Sequence, residues 1–126
     1  MTGPTFNAIA PIFQVADVPR SIQFYTQVLG FEVEWTSGTP PTHASVCHES
    51  VEINLAQRDA KEPVRVSHAY VQVTGVDEYV RMISAAGANV TVPLADRFYG
   101  MRDCRVADPD GNELSLGEEM AETFGA

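Results

Sequence analysis

The second half of this chain repeats the first at an almost constant offset. Gln14-Val15 recurs as Gln72-Val73, Val18 as Val76 and Ile22 as Val80, each 58 positions on, while Gly30 recurs as Gly87 and Val33 as Val90, each 57 on. The matches are few, but they hold register through an apolar run, a helical segment and the next apolar run, so they mark two copies of one folding unit. The copies span about residues 6–57 and 66–118, joined by the polar Gln57–Glu62 and Pro63. A length of 126 residues is that of one ordinary domain, and residues 1–126 are read as a single domain of two modules.

In the first copy Ile9 to Val15 reads as a strand. Asp17 follows as a helix N-cap, with Pro19 in the first turn, where its missing N–H needs no partner. Val18, Ile22, Tyr25 and Leu29 then recur at helical spacing, and Gly30 suits the left-handed position that closes a helix. Phe31 to Trp35, Thr42 to His48 and Val51 to Leu55 read as strands. The last alternates, which puts Val51, Ile53 and Leu55 on one face and Glu52 and Asn54 on the other. In the second copy the strand is Val66 to Val73, the helix carries the stripe Val76, Val80 and Ile83 and stops at Gly87, and strands follow over Ala88 to Val92, Met101 to Ala107 and Asn112 to Leu116. Asp108-Pro109-Asp110-Gly111 between the last two is a turn sequence. Glu118 to Ala126 reads as a short frayed helical tail. The fold class is therefore α+β, with two tandem βαβββ modules.

The formal net charge is −9, from 17 acidic and 8 basic side chains, and the basic ones are scattered. Such a surface repels a phosphate backbone and favours a cationic ligand over an anionic one, so no nucleic-acid partner is expected. No run of about 20 apolar residues is present to span a bilayer, and Met1 to Phe13 lacks a basic segment leading into an apolar one. The expectation is a cytoplasmic protein without a membrane partner. Cys47 and Cys104 are too few for a disulfide scaffold and are expected as free thiols.

Two motifs go further. Asp17-Val18-Pro19-Arg20-Ser21-Ile22-Gln23-Phe24-Tyr25 runs into Val28-Leu29-Gly30-Phe31-Glu32, and late in the chain stands Asp108-Pro109-Asp110-Gly111-Asn112-Glu113-Leu114. With strand, helix and three strands occurring twice, the chain resembles the glyoxalase/bleomycin-resistance/extradiol-dioxygenase (vicinal oxygen chelate) superfamily over nearly its whole length, in its bleomycin-resistance-like branch. The resemblance implies two curled mixed sheets forming a half-open barrel, often completed between two chains, and hence a homodimer. Members range from metal-dependent isomerases, thiol transferases and dioxygenases to proteins that only hold a drug, so fold does not settle activity.

The resemblance also locates the metal positions of the catalytic members, which fall here on Ala10, Asn54, His68 and Ser115. Only His68 is a good ligand, and the set lacks the three or four His and carboxylate donors of a catalytic divalent metal site. Glu52 and Glu113 lie two residues from Asn54 and Ser115 on the same strand faces. With His68 they form an alternative ligand set for a divalent metal ion, although a two-residue slip moves a ligand by about 7 Å. In the family's phase the inward set includes Met101, Asp103, Arg105, Glu113 and Ser115, and Tyr70 joins His68 by alternation. Trp35, Tyr70, Phe98 and Tyr99 are candidate aromatic walls, with Glu52, Asn54, Asp103 and Arg105 orienting a ligand. The plain alternatives are core packing for the aromatics, an Asp103–Arg105 pair across the sheet, and a His68 that only hydrogen-bonds within the barrel. His43 and His48 are expected on the surface.

Three readings follow. One is a metal-independent binding protein of the bleomycin-resistance type, without cofactor, that sequesters an aromatic or amphipathic small molecule. The second is a lyase, isomerase or dioxygenase of the same fold, using a divalent metal or His68 in acid–base work. The third is a regulatory module with a vestigial cavity.

Overall fold

The structure, a computed structural model, describes residues 3–121. Its elements run β1 (Ile12–Val15), α1 (Val18–Gln23) continued by a π-helical turn (Phe24–Val28), β2 (Glu32–Ser37), β3 (His43–His48), β4 (Val51–Gln57), β5 (His68–Gln72), α2 (Val76–Ala85), β6 (Asn89–Asp96), β7 (Met101–Ala107) and β8 (Glu113–Glu119). They build two four-stranded sheets, ordered β1-β4-β3-β2 and β5-β8-β7-β6. In each the first strand of the unit pairs in parallel with the last and the other neighbours are antiparallel. The internal repeat is thereby a repeat of topology: Phe13 lies opposite Leu55, and Val71, 58 positions after Phe13, lies opposite Leu116.

Strand alternation gives each sheet one face for the helices and one curled away from them. Phe13, Val15, Ile53 and Leu55 of the first sheet and Val106, Leu114 and Leu116 of the second turn inward and form a continuous core with Val18, Tyr25 and Leu29, Val76 and Ile83. Asp17 caps α1 by accepting the Arg20 N–H at 3.2 Å, and Gly30 and Gly87 close the two helical segments with φ of 77° and 100°.

Several boundaries differ from the sequence reading. β1 starts at Ile12 because Pro11 has no N–H to give; its carbonyl accepts the Asn54 N–H at 2.9 Å, while Ile9 is 90% exposed. β5 starts at His68, leaving Val66 exposed. β6 continues past Val92 to Asp96, accommodating Pro93 within the second of its two register shifts, between Val92 and Ala95. The first helix opens into a π turn in which the Leu29 N–H reaches the Phe24 carbonyl at 3.3 Å. Glu118 and Glu119, expected in a helical tail, extend β8 instead; residues 122–126 of that tail lie outside the described residues.

The Asp108–Gly111 turn does more than reverse the chain. Asp108 Oδ2 accepts the buried Tyr25 hydroxyl at 3.0 Å and Asn112 Nδ2 at 3.1 Å, and Oδ1 accepts the Asp110 and Asn112 N–H groups at 2.8 and 2.9 Å. Asn112 Nδ2 also donates to the Gln14 carbonyl at 3.0 Å, Asn112 Oδ1 accepts the Ser67 N–H at 2.9 Å, and Asp110 accepts the Ala16 N–H at 2.9 Å. The turn thus bolts the second module to the start of the first. Burial pushes the Asp108 carboxyl above its ordinary range against the opposing pull of these donors, and burial followed by the Asp108 charge pushes the Tyr25 phenol up. Among the described residues no helix is long and apolar enough to cross a membrane.

Candidate functional site

On the outward, curled face of the second sheet, β5, β6, β7 and β8 and the β6–β7 turn form a half-open cavity of about 460 Å³ lined by His68, Tyr70, Val92, Arg97, Tyr99, Asp103, Cys104, Arg105 and Ser115. Asp103 is its centre. Its buried Oδ2 accepts the hydroxyls of Tyr70 at 2.9 Å and Tyr99 at 2.7 Å, and Oδ1 accepts Arg97 Nε at 2.8 Å. Arg97 Nη2 is fixed in turn by the carbonyls of Pro93 at 2.6 Å and Asp103 at 3.0 Å. Burial opposes ionisation of Asp103, but the hydrogen bonds from Tyr99, Arg97 and Tyr70 together outweigh it and hold the carboxyl below its ordinary range. The Tyr70 phenol is pushed up by burial and then by Asp103, and the Tyr99 phenol chiefly by its bond to Asp103. Both hydroxyls therefore donate to the carboxylate at neutral pH and keep oxygen lone pairs for a ligand donor.

Tyr70 reaches Asp103 only because the strand between them carries a glycine. Gly117 pairs with Asp103 across the β7–β8 ladder, and a β-carbon there would collide with the Tyr70 phenol. Gly117→Ala is expected to swing Tyr70 out of the network; the protein should stay folded, and the Tyr70 phenol, released from Asp103, should titrate at lower pH in ultraviolet difference spectra. An unchanged titration would mean that the ring does not depend on this gap.

His68 Nε2 and the buried Ser115 Oγ are 2.7 Å apart, and Arg105 Nη1 stands 3.9 Å from Glu113 Oε1, whose other oxygen accepts Thr91 Oγ1 at 2.9 Å. The first sheet's curled face has a different character. Glu52 accepts Ser45 Oγ at 2.8 Å, Trp35 lies opposite Ser45, and the Cys47 thiol is pushed up by partial burial and then by Glu34, Glu32 and Glu52. Gln14 Oε1 and Asn54 Oδ1 are buried there without a hydrogen-bond partner among the described residues.

Of the residues expected from sequence, His68, Tyr70, Tyr99, Asp103, Arg105 and Ser115 line one cavity. Trp35, Glu52 and Asn54 belong to the other sheet. Met101 shares the strand face of Asp103 but stands outside the cavity lining. Phe98, at the tip of the β6–β7 turn, is 95% exposed and meets Tyr99 edge-on instead of walling the cavity. Asp103 pairs with Arg97 and not with Arg105, because the β6–β7 turn folds back over the sheet. Arg97 was not among the expected residues, although as the one cation of the turn Arg97-Phe98-Tyr99-Gly100 it had a signal. His48, expected on the surface, is half-buried with its ring edge-on to Phe31 and Tyr79.

The donor set does not fit a divalent metal. Ala10 has no donor atom, Ser115 is engaged with His68, and the alternative carboxylates are split, Glu52 on the first sheet and Glu113 with His68 on the second. Among the described residues of the chain no three His, Cys, Asp or Glu side chains converge on a common point.

A family model described as the glyoxalase/bleomycin resistance protein/dioxygenase superfamily matches residues 5–116. The chain is 28% identical to an uncharacterized protein of Mycobacterium bovis over 91% of its own length and 85% of the relative's. It superposes on TioX from a Micromonospora species with a TM-score of 0.78 at 21% identity, covering 90% of this chain and 100% of that one. It superposes on the bleomycin-binding protein of bleomycin-producing Streptomyces verticillus, solved with copper(II)-bleomycin, with a TM-score of 0.76 at 22% identity, covering 90% and 97%. With two βαβββ units, a curled face on each sheet and a family match over most of its length, the chain belongs to the glyoxalase/bleomycin resistance protein/dioxygenase superfamily.

Proposed function

We propose that this protein is a metal-independent binding protein of the bleomycin-resistance type, which sequesters an aromatic or amphipathic small molecule. The observation that carries this reading is the Asp103 network: a buried carboxylate holds two phenols and a guanidinium in fixed positions at a cavity of about 460 Å³, within the size range of small-molecule sites. Rigid aromatic edges with spare oxygen acceptors suit a planar ligand that carries N–H donors. The bleomycin-binding relative supports the same class of ligand.

The protein acts as a homodimer in this reading. Every residue of β2 is exposed in the single chain, Trp35 among them at 43%. The curled face of the first sheet and the cavity face of the second are both open in the single chain, so one copy's first sheet would close over the other's second sheet and bring Trp35 to the ligand. The two unpaired cysteines suit a reducing cytoplasm.

Titration with copper(II)-bleomycin, followed by Trp35 fluorescence, tests the binding reading alongside light scattering for mass. Saturable quenching by a particle of twice the 13.7 kDa chain mass is expected. A monomer that quenches with no ligand in a panel of aromatic natural products would overturn the reading, as would near-stoichiometric retention of zinc, nickel, manganese or iron(II) abolished by His68→Ala.

The His68–Ser115 contact favours one second reading, an enzyme that uses His68 in acid–base work. That reading requires His68→Ala to abolish turnover while ligand binding survives.

A further inference from the structure

The two modules meet at two joints related by the internal repeat, and only one of them is filled. At the first, the β7–β8 turn clasps the segment leading from β1 into α1, with Phe13 and Tyr25 fully buried beneath it. Stepping 58 positions on from Phe13, Gln14, Val15, Ala16 and Tyr25 gives Val71, Gln72, Val73, Thr74 and Ile83. These form the corresponding segment of the second joint, which the β3–β4 turn faces. Two changes hollow this joint. Valine and isoleucine replace a phenylalanine and a tyrosine, and the turn is one residue shorter: Glu49 and Ser50 join the paired His48 and Val51, where Pro109, Asp110 and Gly111 join Asp108 and Asn112. Among the described residues no hydrogen bond joins the β3–β4 turn to the segment from Gln72 to Val76; the first N–H groups of α2 are taken by Glu118 instead.

What remains is a cavity of about 450 Å³ on the core side of the sheets, across β5 and β8 from the Asp103 cavity, which lies on their other face. Its floor is Val51, Val71, Val73 and Leu116. One wall is a chain of rings, Phe31 to His48 at 5.4 Å and His48 to Tyr79 at 5.8 Å, with the Tyr79 hydroxyl anchored to the Leu29 carbonyl at 2.5 Å. Burial pushes that phenol up to about 12, so it stays neutral. At the rim stands Glu49, the one non-glycine residue with positive φ, 54°, among the described residues. Glu49 opens the two-residue turn between His48 and Val51, where a tight hairpin requires positive φ.

We propose that this inter-module cavity is a second ligand site, for an amphipathic organic cation: an aromatic or aliphatic body against the rings and valines, with an ammonium at Glu49. The volume suits a small molecule, ring faces attract cations, and Glu49, its carboxylate 3.8 Å from His48 Nδ1, is the only carboxylate among the described residues of the lining, in a chain of net charge −9. The site is independent of the Asp103 cavity and of the reading built on it.

The probes are dansylcadaverine, which carries an ammonium, and dansylglycine, which puts a carboxylate on the same fluorophore. Dansylcadaverine should bind with blue-shifted emission, and dansylglycine at least about tenfold more weakly. Val51→Phe, whose larger ring enters the cavity, should abolish binding. Glu49→Gln, at an exposed turn position that keeps the fold, should weaken dansylcadaverine about threefold and strengthen dansylglycine by a similar factor, while Asp103→Asn should leave the binding that Val51→Phe removes unchanged. Absence of dansylcadaverine binding, equal binding of the two probes, indifference to both Glu49→Gln and Val51→Phe, or loss in Asp103→Asn alone would each overturn the proposal, the last by moving the probe to the other cavity.

Discussion

Replacing Asp108 by alanine is expected to lower the unfolding free energy by roughly 3–5 kcal/mol. The Tyr25 hydroxyl and Asn112 Nδ2 both end on Asp108 Oδ2 and are almost wholly buried. Without it the Tyr25 hydroxyl and one of the two Asn112 Nδ2 hydrogens lose their acceptor, the other staying on the Gln14 carbonyl, at a cost of about 1–3 kcal/mol apiece, and the turn's own N–H groups lose theirs. Urea unfolding followed by far-ultraviolet circular dichroism measures the loss. Tyr25→Phe, which removes one donor along with its need, should cost only about 1 kcal/mol. Equal losses in the two variants would mean that the joint is held by packing and not by the carboxylate. The pH dependence has a definite sign. The folded value of Asp108 lies above the ordinary carboxylate value of about 3.9, so its protonation favours the fold. That contribution is complete below the unfolded value and is lost as pH rises through the folded one. The deficit of Asp108→Ala relative to the parent should therefore be larger at low pH than at neutrality.

Asp103→Ala should act mainly on binding. It frees Tyr70, Tyr99 and Arg97 from their common acceptor, and a ligand that uses their fixed geometry should bind about 10- to 100-fold more weakly. Stability should fall by only about 1–3 kcal/mol, because both tyrosines stay half-exposed and can turn to water. The folded carboxyl lies below its ordinary range, so its contribution is present above the unfolded value and disappears as pH falls through the folded one. The stability difference between parent and variant should thus shrink in acid, opposite to Asp108→Ala. Isothermal titration with the ligand identified by the copper(II)-bleomycin and natural-product screen, together with urea unfolding across pH, separates the two effects. An unaltered affinity would show that the ligand does not use this network.

Much of the fold was legible in the residues because periodicity and local chemistry are written in one dimension. Asp17 as a cap, Gly30 and Gly87 as stops, the alternation of Val51 to Leu55 and the Asp-Pro-Asp-Gly turn act over a few neighbours, and the repeat tied them into two equivalent units. Strand ends were less legible. Whether Ile9 or Val66 joins a sheet depends on a partner strand's reach and on a proline's missing N–H, and not on the apolar run itself.

The site was legible by face and not by contact. Alternation placed His68, Tyr70, Asp103, Arg105 and Ser115 on one surface. Only the folded β6–β7 turn decided that Arg97, and not Arg105, pairs with Asp103, and that Phe98 points away. The sequence by itself determined the two-module plan and the helix boundaries set by caps and glycines, while the placing of Ala10, Asn54 and Ser115 at the metal positions came from the family resemblance. The tertiary structure alone decided the Asp103 network, the bolt at Asp108 and the hollow at its repeat-related joint. Each of these depends on side chains from segments far apart in the chain meeting within hydrogen-bond or van der Waals distance, which no local pattern specifies.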